Sequence, residues 1–165
     1  MVRIRPLPST TSTPERMDST MVSFTRERLS SSLPTRAARA SLLRARVATT
    51  LAVAAVTKNI SVRAGSCVLP LHHPVRVAEE WSVVDNLSNG RVGISVASGW
   101  QPNDFVLRPE NHARRNDIMY ESLEQVRALW RGESLQLAGP AGAVEVRTLP
   151  RPVQAELPVW ITAAG

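Results

Sequence analysis

The single cysteine and all three histidines fall between Gly65 and His112, a stretch whose candidates for chemistry are Ser66, Cys67, His72-His73, Glu79-Glu80, Ser98, Asp104 and His112. Hydroxyl, thiol, imidazole and carboxylate groups could serve nucleophilic, acid-base or metal chemistry, but their spacing favours none of these. Neighbouring residues point apart on regular structure, so packing ahead of Pro74 is the preferred role for His72-His73. Cys67 is the only cysteine, which excludes an internal disulfide. With no activating partner nearby in sequence, it reads as a small buried residue. Glu79-Glu80 reads as a solvated helix face, and Asp104 and His112 as loop groups within reach of a substrate. No GxGxxG, Walker A or Ser/His/Asp signature is present. No metal site is expected and no residue is assigned as catalytic. What remains is three clusters of small residues: Gly65-Ser66, Ser98-Gly99-Trp100 and Ala163-Ala164-Gly165. Glycine and serine let a ligand approach the backbone closely, as the ring and phosphate of a cofactor would require.

These clusters need elements to hold them. Leu51, Ala55 and their alanine neighbours fit the end of a helix that stops near Lys58-Asn59. Ile60 to Leu69 reads as a buried strand, with Gly65-Ser66 near its end. Pro74 suits the first turn of a helix, where a missing N–H costs nothing. Val77, Trp81, Val84 and Ser88 then share one face, Glu79, Glu80 and Asp85 lie largely elsewhere, and Asn89-Gly90 stops the helix. Val92 to Ala97 is a second strand whose Val/Ile content suits a sheet buried on both sides. A long polar connection, Ser98 to about Arg115, leads to a helix from Asp117 to Arg131 with Met119, Leu123, Val126 and Trp130 as its stripe. Leu135 to Leu137 and Val144 to Arg147 predict a hairpin, and Leu157 to Thr162 a third strand of the main sheet. Strands alternating with helices define an α/β fold with parallel strands and right-handed crossovers, the two later helices on one face.

The segments LPLHHP, RVAEEWSVVDNLS, GRVGIS and ASGWQPNDF make the chain resemble the luciferase-like, flavin-dependent monooxygenases, especially those found beside natural-product assembly lines. The resemblance covers about residues 50–165. It implies about strands 3 to 5 of a (β/α)8 TIM barrel, a fold that usually takes about 250 residues and keeps its active site at the strands' C-terminal ends. In that family a non-proline cis peptide commonly follows the first of these strands and supports the flavin ring; Gly65-Ser66 is the matching pair, with a plain strand-ending turn as the alternative. Ser98 and Trp100 match the segment lining the flavin, although Trp100 equally suits a core. Ala164 and Gly165 match the start of a phosphate-binding loop. The implied cofactor is reduced FMN delivered by a separate flavin reductase, with deazaflavin as another option. The implied reaction is oxygenation, with O2, of a small-molecule or carrier-bound substrate in secondary metabolism.

Charge and composition divide the chain. The formal net charge of +6 comes mainly from nine arginines before Val47, opposed there by Glu15, Asp18 and Glu27. Residues 1–47, rich in Arg, Ser, Thr and Pro, are expected to be a disordered leader, non-native in origin, with the partial barrel in residues 48–165. A nucleic-acid-binding protein driven by the leader is a disfavoured alternative, since aromatic stacking residues are scarce there. An inactive, truncated remnant of the enzyme lineage is the other. No apolar run approaches the roughly 20 residues a bilayer span needs, and the lone cysteine fits a reducing cytoplasm. The residues leave the oligomeric state open.

Overall fold

The computed structural model describes residues 37–162, with side chains from Val47 onward. Helix α1 spans Ala37–Val56. The helix therefore starts ten residues before the expected end of the leader, and residues 37–47 are corrected from disordered to helical. Alanine, leucine and arginine from 37 to 46, with no Gly or Pro, explain it: these residues lose little on entering a helix. The rest of the leader assignment lies outside the described residues.

Strand β1 (Val62–Val68) leads through a short turn at Leu69–Leu71 into α2 (Pro74–Ser88). His73 caps α2, its Nδ1 accepting from the Val75 N–H at 3.3 Å, while Pro74 takes the first helical position. Asn89, left-handed at φ 54°, ends the helix, and the Gly90 N–H returns to the Asp85 carbonyl at 2.9 Å. Strand β2 (Val92–Ala97) follows, then the long connection with its turns at Pro102–Leu107 and Pro109–Asn111. Helix α3 (Arg115–Arg131) ends on Gly132 at φ 83°. Strands β3 (Leu135–Gly139) and β4 (Gly142–Val146) form the antiparallel hairpin, and β5 (Val159–Ile161) returns to the main sheet.

The main sheet has the order β1-β2-β5 with both pairings parallel. Val92, Ile94 and Val96 of β2 project into a core with Val77, Trp81 and Val84 of α2 and Met119, Leu123, Val126 and Trp130 of α3. Burying each such side chain stabilises by about 1.5–3 kcal/mol. The expectation that β2 is packed on both sides needs correction. Its other face carries Gly93, Ser95 and Ala97, and only Gly93 of these is buried. One face packs against helices; the other is built of small residues, with Gly93 beneath Trp160 and Ser95 and Ala97 half-buried among the described residues.

Two polar junctions hold the strands in place. Arg91, just before β2, donates to the carbonyls of Ala54 (2.8 Å), Thr57 (2.9 Å), Ile60 (2.7 Å) and Ser88 (2.7 Å), capping α1 and tying it to the start of the sheet. Asp85, expected on the outer side of α2, is instead completely buried. Its carboxylate accepts from the N–H groups of Val153 (2.7 Å) and Gln154 (2.9 Å) and from Gln154 Nε2 (2.6 Å). Gln154 Nε2 also donates to the Val92 carbonyl at 2.9 Å, and Trp130 Nε1 donates to the Gln154 carbonyl at 2.9 Å. The chain entering β5 is thus fastened to α2, β2 and α3 together. Glu80 also departs from the solvated-face expectation: it is half-buried, with one carboxylate oxygen enclosed.

Candidate functional site

A bulge in β1 shapes the open face. Pairing with β2 runs Val62↔Val92, Arg63↔Gly93 and Ala64↔Ile94, then resumes at Cys67↔Val96, so Gly65 and Ser66 together stand opposite Ser95. The extra residue lets Ala64 and Cys67 both join the helix-side core, while Gly65 is left exposed on the other side. The Gly65–Ser66 peptide is cis, the conformation the resemblance implied. A Cβ at Gly65 would lie 3.1 Å from the Ser95 Cβ, so any side chain there would crowd the neighbouring strand.

Three hydroxyls meet across this face. Thr162 Oγ1 lies 2.8 Å from Ser66 Oγ and 2.6 Å from Ser95 Oγ, linking the three strands, and the Thr162 N–H donates to the Val96 carbonyl at 2.8 Å. Sequence reasoning identified Ser66 but missed Ser95 and Thr162. Their signal was the period of two along each strand: Ser95 lies between the core residues Ile94 and Val96, and Thr162 two positions beyond Trp160.

Beyond β2 the chain turns through Ser98, Gly99 and Trp100. Gly99 has φ 80°, and a Cβ there would meet Val68 Cγ1 at 2.8 Å and the Phe105 ring at 3.1 Å. Both conformation and space therefore require glycine. Ser98 is half-buried, and Trp100 is 62% exposed among the described residues. The following connection is firmly packed. Phe105 is buried with its ring centroid 4.9 Å from that of His112 at 75°, Asn111 Nδ2 donates to the Pro70 carbonyl at 2.6 Å, and Arg115 Nε donates to the Gly99 carbonyl at 3.1 Å. His112 is therefore engaged in packing this loop, His73 in capping, and Cys67 is buried as expected. Ala164 and Gly165 lie outside the described residues.

At the opposite end of the strands Arg63 stacks on Trp160, its Cζ 4.2 Å from the ring centre. The stack crosses Gly93, where a Cβ would fall 2.6 Å from Trp160 Cζ3. A hollow of about 70 Å³ lies beside it, lined by Ser61, Arg91 and Gln154 among others. Among the described residues no three His, Cys, Asp or Glu side chains gather as metal ligands. Among the described residues, the two displaced titrations lie away from the main sheet. Donation to the Glu133 carboxylate raises the Arg131 guanidinium, and hydrogen bonds from Ser134 and Arg147 hold Glu145 below the usual carboxylate range.

Comparison with known proteins places these features in a family. The family model described as luciferase-like monooxygenase matches residues 31–165. The match reaches back beyond residue 48, into the expected leader. The uncharacterized protein Rv0953c of Mycobacterium tuberculosis is 36% identical over 122 residues, covering 69% of this chain and 41% of that protein. The pyrimidine monooxygenase RutA of Cronobacter turicensis is 33% identical over 119 residues, covering 68% of this chain and 30% of RutA. The chain thus spans less than half the length of these relatives. Among solved structures, the monooxygenase RslO1 of Streptomyces bottropensis superposes with a TM-score of 0.59 at 26% identity, covering 70% of this chain and 36% of RslO1. Two further structures, each 22% identical, share the fold. They are the oxygenating constituent of 3,6-diketocamphane monooxygenase of Pseudomonas putida in complex with FMN (TM-score 0.55; 67% of this chain, 34% of that one) and an F420-dependent secondary alcohol dehydrogenase (0.57; 70% and 36%). Among the described residues no helix is long and apolar enough to cross a membrane. With its parallel β1-β2-β5 sheet, the bulge at Gly65-Ser66 and a family match over most of its length, this chain belongs to the luciferase-like monooxygenase family.

Proposed function

We propose that this chain carries the flavin-facing part of an FMN-dependent monooxygenase. The observation that carries the proposal is the open sheet face, where Gly65 offers no side chain and the hydroxyls of Ser66, Ser95 and Thr162 form a connected row across three strands. A planar ring needs a surface free of protruding groups. A Cβ at Gly65 would intrude on this one, so the residues present fit such a ring. Gly65, Ser66 and Ser98 would support it, with Trp100 as a lateral wall and Ala164-Gly165 toward its phosphate. Reduced FMN, once bound, supplies the electrons and the oxygen activation that oxygenate a substrate. The protein's part is to bind and orient the ring, with the apolar Trp100 limiting the approach of water.

The same reading assigns a separate flavin reductase as the electron source, a small-molecule or carrier-bound substrate, and a place in secondary metabolism. Deazaflavin is the competing cofactor, since a protein of the same fold is F420-dependent. Fluorescence titration of the full 165-residue chain with FMN, and in parallel with F420, tests the proposal. Saturable FMN binding is expected, weakened about tenfold or more by Gly65→Val and by Trp100→Ala while circular dichroism stays unchanged. Binding that both substitutions leave intact would show the flavin to sit elsewhere. No saturable binding by the full chain would favour the inactive-remnant alternative.

A further inference from the structure

We propose that Arg115 is a positioning residue that sets the orientation of Trp100 toward the bound ligand; the inference rests on the flavin-site reading above. The first turn of a helix concentrates partial positive charge and favours acidic side chains, and Asp117 meets that preference in α3. Two arginines precede it, Arg114 as the cap residue and Arg115 as the first helical residue. Their side chains are used differently. Arg114 pairs with Asp117 at 3.8 Å and Glu121 at 2.9 Å, an ordinary exposed arrangement on the helix surface. Arg115 makes no ion pair among the described residues. Its half-buried guanidinium turns back to donate to the Gly99 carbonyl from Nε at 3.1 Å and to the His112 carbonyl from Nη1 at 3.3 Å.

These two carbonyls belong to the two ends of the connection between β2 and α3. One planar side chain therefore spans the loop, a task suited to the fixed fork of a guanidinium and not to the point charge of a lysine. The Gly99 carbonyl belongs to the peptide group that leads directly into Trp100. A Cβ at Gly99 would meet Val68 and the Phe105 ring, so the backbone there runs close to hydrocarbon packing while its carbonyl is held by the Arg115 fork. Fixing that peptide fixes the direction in which Trp100 leaves the backbone. Trp100, with 62% of its surface exposed, has little packing of its own to do so. Arg115 thus ties the start of α3 to the peptide that orients a candidate ligand wall.

The test is ¹⁹F NMR of the full chain carrying 5-fluorotryptophan, whose four tryptophans give four resonances, with Trp100→Phe assigning one of them. Arg115→Ala is expected to shift and broaden the Trp100 resonance while those of the buried Trp81 and Trp130 stay in place, and Arg115→Lys to restore it in part. Under FMN titration Arg115→Ala is expected to raise Kd about tenfold. In the Trp100→Phe background the same substitution is expected to add little, because its effect runs through Trp100. If Arg115→Ala leaves the Trp100 resonance unmoved while FMN binds normally, the positioning role is overturned alone. Equal movement of all four resonances would also overturn it, showing Arg115 to be a general support of the fold. If FMN fails to perturb Trp100 in the unmodified chain, the flavin-site reading falls and takes this role with it.

Discussion

Replacing Asp85 with alanine is expected to cost about 3–5 kcal/mol, because it leaves three donors without their acceptor at about 1–3 kcal/mol each. The magnitude follows from the geometry. Asp85 is fully buried and accepts three hydrogen bonds, at 2.7, 2.9 and 2.6 Å, from Val153 and Gln154. Hydrogen bonds to a charged acceptor contribute about 1.5–3 kcal/mol each, but donors abandoned together relax together, so the sum overstates the loss. For a chain of this size, an unfolding entropy of about 2.1 cal/mol/K per residue makes 1 kcal/mol roughly 3 °C. Asp85→Ala should therefore lower Tm by roughly 10–15 °C. Asp85→Asn, which retains one acceptor oxygen, should lose about half as much. Circular dichroism at 222 nm follows the melt, and limited proteolysis should show earliest cleavage between Arg151 and Leu157. A Tm within about 3 °C of the parent chain for Asp85→Ala would refute the reasoning, since the segment would then be held by its other contacts.

Three further outcomes follow. Gly93→Ala places a methyl where Trp160 Cζ3 would be 2.6 Å away, so the ring should leave the Arg63 stack at a cost of about 1–3 kcal/mol, read as a lower Tm with changed Trp160 fluorescence. Arg91→Met removes the donors to Ala54, Thr57, Ile60 and Ser88; a loss of about 2 kcal/mol is expected, with faster amide exchange concentrated in the last turn of α1. Glu145 should titrate below an ordinary glutamate in ¹³C NMR, because Ser134 and Arg147 hydrogen-bond its charged form. A depressed folded-state pKa gives a stabilising contribution that is present above the unfolded value and lost as pH falls through the folded one, so Glu145→Gln should flatten the acid side of the hairpin's stability profile.

How far the sequence revealed the molecule depends on whether a residue acts within its own element or across elements. The stripe of α2, Val77, Trp81 and Val84, and that of α3, Met119, Leu123, Val126 and Trp130, were legible because helical spacing alone puts them on one face. The stops at Asn89 and Gly132 were legible because a left-handed residue is a local requirement. Helix α1 was misjudged before Val47 because arginine and serine content outweighed the helix-favouring run of alanine and leucine from Ala37. Asp85 was misjudged for a different reason. Helical spacing sets it beside the apolar stripe, and a carboxylate there is read as solvent-facing unless its partners are known. Those partners, Val153 and Gln154, stand 68 and 69 residues away, and no local pattern announces them.

The candidate site divides along the same line. Gly65-Ser66 and Ser98-Trp100 could be singled out as small residues at or near expected strand ends, although β1 continues past Gly65-Ser66 to Val68, whereas the hydroxyl row required the register of three strands. Only the pairing of Ser95 with Trp160 in β5, and the two-for-one bulge opposite Ser95 in β1, bring Ser66 and Thr162 to the same oxygen neighbourhood. Shift either pairing by one residue and the alternation reverses, turning Ser95 into the core and Ile94 onto the open face. The apolar residues of β2 therefore specify its polar face. Val92, Ile94 and Val96 lock the strand against α2 and α3, and that lock puts Ser95 and Ala97 on the opposite face, with Gly93 beneath the Trp160 ring.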